Sequence, residues 1–393
     1  MYWVGGLIVI VFIIPNTTNF KEREAFSDKV RLEEAARIYH TDSVGDAVTV
    51  AAGPYYKRGK FVTFFLGEKQ RELWTTPVEV PVFRYKSFKG GLTPKKPGGG
   101  DQTISIKLED SQERKWALRS VNKDQKSALP GVLRITALRF LFRDQVASAN
   151  PFGHLVIPVL SDAIGVHHTT PQLVFVAYDE EYKEYNERMA GRMAYLEEDL
   201  SNSWKNSKRF GPAAKIVNTE DMLAMQEEGP IPLDTALYLK SRLFDILISD
   251  WDRHEGNWEW ALAKEKDGNV FEAIPKDRDN AFYQFDEGLL SHIGLLFVPK
   301  FQSFRKDYGK ISGLMRQARN MDKPFLSKMN EEDFLEAARA IQSSLTDEVI
   351  TSAFRKYPPV IYDKKGKEHE EILKARLAKL PEAAKEFHKL LNN

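Results

Sequence analysis

Two short acidic runs constrain this chain more than any other feature: Ser249-Asp250-Trp251-Asp252-Arg253-His254-Glu255-Gly256-Asn257 and Pro275-Lys276-Asp277-Arg278-Asp279-Asn280-Ala281-Phe282. Ahead of the first, Ala236 to Ile248 carries apolar residues at helical spacing. Behind it, Trp258, Trp260 and Leu262 alternate as residues of a strand do. Lys264 to Asn269 then supplies a hairpin turn, with Asp267-Gly268 at its tip, and Val270 to Ile274 forms the returning strand. The spacing predicts a helix, a loop and a hairpin that together set Asp252, Asn257, Asp277 and Asp279 at one end of a two-stranded ribbon.

Phosphoryl transfer by kinases uses such a set. One carboxylate orients the attacking hydroxyl, an amide oxygen binds metal, and a carboxylate beyond the next hairpin binds metal on the phosphates. The catalytic-loop spacing Asp-x-x-x-x-Asn runs from Asp252 to Asn257. Asp-Arg-His-x-x-Asn followed by Pro-x-Asp-x-Asp-x-x-Phe resembles the atypical kinases of the CotH type, with HipA and the secretory-pathway kinases as more distant relatives. The resemblance covers roughly residues 53–285 and is most specific in the two acidic runs. It implies an α+β, two-lobed protein-kinase-like fold with a β-rich N-lobe and a helical C-lobe. It implies ATP and Mg²⁺ or Mn²⁺ as cofactors, with Asp252 as base and Asn257, Asp277 and Asp279 as metal ligands. The order Pro-x-Asp-x-Asp favours Asp277 as the primary ligand, and the choice against Asp279 stays open. His254 is expected to hold the loop, and Trp258 and Trp260 to sit in the core.

Upstream, Gly90 to Thr103 is glycine-rich without the Gly-Lys-Ser/Thr of a Walker A loop, and leads into two alternating segments, Ile104–Leu108 and Lys115–Val121. A glycine turn can bring backbone N–H groups close to phosphate, or can simply be a flexible hairpin loop. By the same resemblance Gly99, Gly100 and Gln102 belong to the nucleotide loop, and Lys107 and Arg119 are the candidate phosphate-binding cations. Val132 to Ala149 has helical periodicity and would offer Asp144 as the acidic partner of that cation, where glutamate is usual. Tyr55-Tyr56, Phe61–Leu66 and Trp74–Phe83 read as β-rich, with Pro77 and Pro81 confining such strands to edges or ends. Leu173–Tyr178 and Met193–Leu196 read as strands, Glu197-Glu198-Asp199 as the hinge, and His167-His168 as a turn or core pair. Asn202 to Gly229 reads as a polar insertion, and Asp234 as a helix N-cap. Beyond residue 285 the pattern is helical, with Asn330 and Thr346 as N-caps and Pro381 breaking the last run in two.

A length of 393 residues suggests two bodies, expected as residues 53–198 and 199–393 after an N-terminal helix and linker, 21–52. Net charge of +1 gives no reason to expect a nucleic-acid partner, and the lack of cysteine excludes disulfides, thiolate metal sites and a cysteine nucleophile. Met1 to Ile14 is almost wholly apolar. As a helix it would span about 21 Å, short of the roughly 30 Å of a bilayer core. It suits a signal-peptide core or membrane tether within residues 1–20, and hence the cell envelope, although no Lys or Arg precedes it. Without such a role the chain would be cytoplasmic. Two rival classes share the carboxylates: a kinase-like binding module without turnover, and a metal-dependent phosphoesterase with water as nucleophile. The acceptor expected of a kinase is a hydroxyl on a protein or small molecule.

Overall fold

The computed structural model describes residues 31–33, 35–37, 46–98, 104–123, 143–205, 207–211, 213–265 and 268–392. The expectations for Met1–Ile14, for Gly99, Gly100 and Gln102, and for most of the helix 132–149 lie outside them. Among the described residues no helix is long and apolar enough to cross a membrane.

The chain divides into two compact units. The first comprises residues 1–59, 70–151 and 171–199, and the second 60–69, 152–170 and 200–393. Two short segments of the N-terminal half therefore belong to the second unit.

The first unit is built on a seven-stranded sheet ordered β1-β2-β6-β7-β5-β4-β3. Its strands are β1 (Ala47–Val50), β2 (Val78–Phe83), β3 (Leu92–Gly98), β4 (Ser105–Asp110), β5 (Lys115–Ser120), β6 (Gln172–Val176) and β7 (Met193–Glu198). All pairs are antiparallel except β2 with β6. Alternation explains the core: Val78, Val80 and Val82 of β2, Ile106 and Leu108 of β4, and Trp116 and Leu118 of β5 are buried. The β4–β5 turn is locked by Asp110. Its carboxylate accepts from the backbone of Gln112 and Arg114, from Arg114 Nε and from Trp116 Nε1. Pro94 and Pro97 lie in β3, the last strand of the sheet, where a missing N–H costs no ladder bond.

The second unit holds a three-stranded sheet ordered β10-β9-β8 and most of the helices. Its strands are β8 (Lys215–Asn218), β9 (Trp258–Glu265) and β10 (Gly268–Pro275). Trp258 and Trp260 share one face of β9 and are 1% and 0% exposed, against Tyr238 of the preceding helix at 4.9 and 6.1 Å between ring centroids. The hairpin closes with Glu265 opposite Gly268, so Gly268, at φ 133°, opens β10 instead of sitting at the tip. The α+β class is thus as the sequence predicts, with the large sheet early and the helices late.

Three local expectations are corrected. Phe61–Leu66 lies in the helix Lys60–Leu66, and Trp74 in the helix Arg71–Thr75, so the expected strand begins only at Val78. Aromatic content raised the β reading there, but tertiary context overrides propensity in segments this short. Residues 202–229 are not an unstructured insertion. They supply β8 and the helix Thr219–Glu228, whose first residue accepts Trp260 Nε1 through its hydroxyl at 3.1 Å. Glu197 and Glu198 continue β7 and are 2% and 7% exposed, where the sequence suggested a hinge beyond the strand.

Candidate functional site: the two acidic turns

The helix Thr235–Leu247 opens on Asp234, whose carboxylate accepts from the Leu237 N–H at 2.8 Å. Its inward face is apolar except for Ser241, Arg242 and Asp245, all fully buried. A lone buried charge costs several kcal/mol, on the order of 3–5 when its partner is missing, so these must be matched. They are. Asp245 receives Arg278 Nε at 3.0 Å, Arg242 Nη1 at 3.0 Å and Arg253 Nε at 3.1 Å. Arg253 Nη2 also reaches Asp250 at 2.9 Å, and Arg242 reaches Asp322 at 2.8 and 3.1 Å. Three guanidiniums thus meet three carboxylates inside one apolar body.

The balance of charge differs from site to site. Burial opposes ionisation of Asp245, but the surrounding guanidiniums of Arg253, Arg278 and Arg242 hold its carboxyl below the usual range. Burial dominates at Asp250. One guanidinium does not offset it and the nearby Asp245 and Asp252, and the group is pushed up to about 7.

From this knot Arg253 reaches out to fasten the two acidic turns together. Its Nη1 donates to the carbonyl of Asn257 at 3.0 Å and to that of Lys276 at 2.6 Å. The Lys276 N–H in turn donates to the Asn257 carbonyl at 3.1 Å. Phe282 N–H donates to the Ile248 carbonyl at 2.8 Å, tying the end of the second turn to the end of the helix. The backbone is bent hard to do this: Ser249, Asp277 and Phe282 all take left-handed φ, at 56°, 56° and 60°. Such conformations cost a non-glycine residue about 1–2 kcal/mol and persist where the surroundings over-determine them.

The functional side chains sit on this frame. Asp252 is half-buried, and its Oδ1 accepts from Gln317 Nε2 at 3.3 Å. Asn257 donates its amide N–H to the Asp252 carbonyl at 2.6 Å, which turns its Oδ1 into the group left to accept. Asp279 accepts from Asn280 Nδ2 at 3.1 Å through Oδ1, and Asp277 stands on left-handed backbone. His254 is exposed and accepts from the Gly256 N–H at 3.0 Å, closing the turn between Asp252 and Asn257. Among the described residues no group of three or more His, Cys, Asp or Glu is arranged around a common point as a metal site. The donors present are hard oxygens, Asn257 Oδ1 and the carboxylates of Asp277 and Asp279. They suit an ion such as Mg²⁺, which is bound by one or two carboxylates plus phosphate oxygens and water instead of a closed protein cage.

A distant part of the chain supports the loop. Arg376, fully buried, donates Nε to the Leu247 carbonyl at 2.6 Å and Nη2 to that of Ile246 at 2.7 Å. Its Nη1 holds the carbonyls of Arg305 and Asp307 at 3.1 and 3.2 Å. These partners cap the C-terminus of the helix that delivers Asp250 and Asp252. Burial draws the Arg376 guanidinium down to about 10.

In the first unit, the candidate cations lie on one face of the sheet. Lys107 and Ala117 are register partners, as are Ala117 and Glu197. Lys107 pairs with Asp199 at 2.5 Å, and Arg119 with Glu197 at 2.8 Å. Asp144 has different partners from those expected. It takes Arg71 in a forked pair, at 2.9 and 2.5 Å, and Arg58 at 3.2 Å. The acidic partners of Lys107 and Arg119 come from the end of β7 and the residue after it instead.

Sequence reasoning missed Asp245, Arg253, Arg278 and Glu197. Asp245 carried a signal, a carboxylate on an apolar helix face, which demands buried cations nearby. Arg278 lies between two aspartates and Arg253 between an aspartate and a histidine, patterns equally consistent with a solvated turn.

No protein-family model matches the chain, and no curated protein matches it. Among solved structures it is similar to a proinflammatory kinase, CtkA, of Helicobacter pylori, with 15% sequence identity and a TM-score of 0.36 over 76% of this chain and 96% of that one.

Proposed function

We propose that this chain is an ATP- and divalent-metal-dependent phosphotransferase acting on a hydroxyl acceptor. The observation that carries the reading is the bridge from Arg253 to the Asn257 and Lys276 carbonyls, at 3.0 and 2.6 Å. It brings two acidic turns with catalytic-loop spacing to one end of a hairpin. Asp252 is the base. Gln317 occupies its Oδ1, and Oδ2 takes the proton of the acceptor hydroxyl as that oxygen bonds to the γ-phosphorus and the bond to the bridging oxygen of ADP breaks. Asn257 Oδ1 with Asp277 and Asp279 would hold the metal, which when bound would neutralise charge on the phosphates. Within the first unit Lys107 and Arg119 stand as the candidate phosphate-binding cations, each paired with a carboxylate.

Asparagine variants test the division of roles, because Asn tolerates the left-handed backbone of Asp277 where Ala does not. Asp277→Asn and Asp279→Asn are expected to weaken Mg-ATP binding at least tenfold by calorimetry. Asp252→Asn should bind Mg-ATP as wild type does and lose transfer of labelled phosphate by a factor of about 10²–10⁴. Wild-type protein that binds no Mg-ATP would overturn the proposal. Binding without transfer, or free phosphate released from many esters, would favour a binding module or a hydrolase.

A further inference from the structure

The second unit carries a group of cations that the roles above leave unused. Lys300 is half-buried, with its ammonium 4.3 Å from the ring centroid of Trp251, the residue next to Asp252, and 5.5 Å from that of Phe301. A lysine stripped of water this far normally has a carboxylate in contact. Among the described residues Lys300 has none within ion-pair distance, and the charges that act on it are Asp252 and Arg316. Its affinity for a proton is lowered, by burial first. Arg316 lies next to Gln317, the residue that hydrogen-bonds the Asp252 carboxylate. Arg316 and Arg319 line a cavity of about 400 Å³ with Pro299 and Ser312, and Pro299 adjoins Lys300. Both arginines are exposed and, among the described residues, neither has a carboxylate partner.

We propose that this cavity binds the anionic end of the phosphate acceptor, so that the acceptor is a small hydroxyl compound bearing a phosphate or carboxylate. The inference rests on the reading of Asp252 as base. Lys300 interacts with the charges of Asp252 and Arg316, and Arg316 shares the cavity wall with Arg319, so the cations make a local excess of positive charge that a neutral acceptor would leave unmatched. Arginine forks suit phosphate and carboxylate oxygens alike, and the hydroxyl of a short acceptor anchored there would lie beside Asp252.

The test is binding to the whole protein without nucleotide, comparing glycerol 3-phosphate with glycerol by calorimetry. Lactate against propanol serves as the carboxylate arm. At least one anionic probe is expected to bind tenfold or more tightly than its neutral counterpart. Arg316→Gln/Arg319→Gln and Lys300→Met should each remove that advantage while Mg-ATP affinity stays unchanged. Equal binding of anionic and neutral probes overturns the inference, as does retention of the advantage in the double variant. Loss of Mg-ATP affinity in the double variant also overturns it, because the cations would then serve the nucleotide. Anion binding that obeys these rules in a protein that never binds Mg-ATP would support the anion site and refute the phosphotransferase reading.

Discussion

Arg253 joins more of the site than any other residue, because one planar guanidinium donates to Asp250 and to two carbonyls while forming an ion pair with Asp245. A lysine offers a point charge and cannot make those bonds together. Arg253→Lys is therefore expected to lose stability nearly as severely as Arg253→Met, each by about 3–5 kcal/mol in denaturant unfolding. A cost below about 1 kcal/mol for the lysine variant would show that charge alone matters there. Asp252 and Asn257 were legible in the sequence because their relation is local, five residues apart within one turn. Asp144 was not. Its partners Arg58 and Arg71 come from other segments, and no periodicity in residues 132–149 announces them.

Among the elements, legibility followed the strength of local signals. The helix Glu331–Ser344 begins where Asn330 predicts, with a full capping box to Asp333. The last run divides at Lys379, and Pro381 falls in the first turn of Leu380–Asn392, where its missing N–H is harmless. The helix Thr235–Leu247 and the hairpin after it were readable because amphipathic period, N-cap and strand alternation agree there. The helix Lys60–Leu66 was not readable. Its aromatics suggest a strand, and Phe61 and Phe64 remain 79% and 66% exposed, so no buried stripe marks the helical period. Residues 215–228 were hidden for another reason. The short strand β8 takes its place from pairing with β9, a contact between segments some forty residues apart.

At the scale of the whole molecule, two buried groups set opposing pH dependences. Burial lowers His369 to about 4, against Tyr357 and the aromatic rings of Phe282 and Phe304. The folded state then binds fewer protons than the unfolded state between about 4 and 6.5. Stability held above that window is lost as pH falls through it. Asp250 has the reverse sign. Its folded value of about 7 lies above the unfolded one near 3.8, so its contribution is present in acid and lost as pH rises through 7. Asp250→Asn is expected to gain stability on going from pH 5 to pH 7 relative to wild type, while His369→Gln should fall over the same interval. Urea titrations of the three proteins at both pH values check this. Parallel responses in all three would show that neither group governs acid stability.

The grip of Arg376 on the Leu247 carbonyl spans 129 residues of chain. On the ribosome, the polypeptide must therefore wait for a further 129 residues after Leu247 before the end of the helix Thr235–Leu247 is sealed. Nascent chains arrested short of residue 376 are expected to be cut by protease around residues 249–282, and chains released after it to resist. The turns would then mature only once both sides of this contact have been made, so that a copy released before residue 376 has little chance of acting.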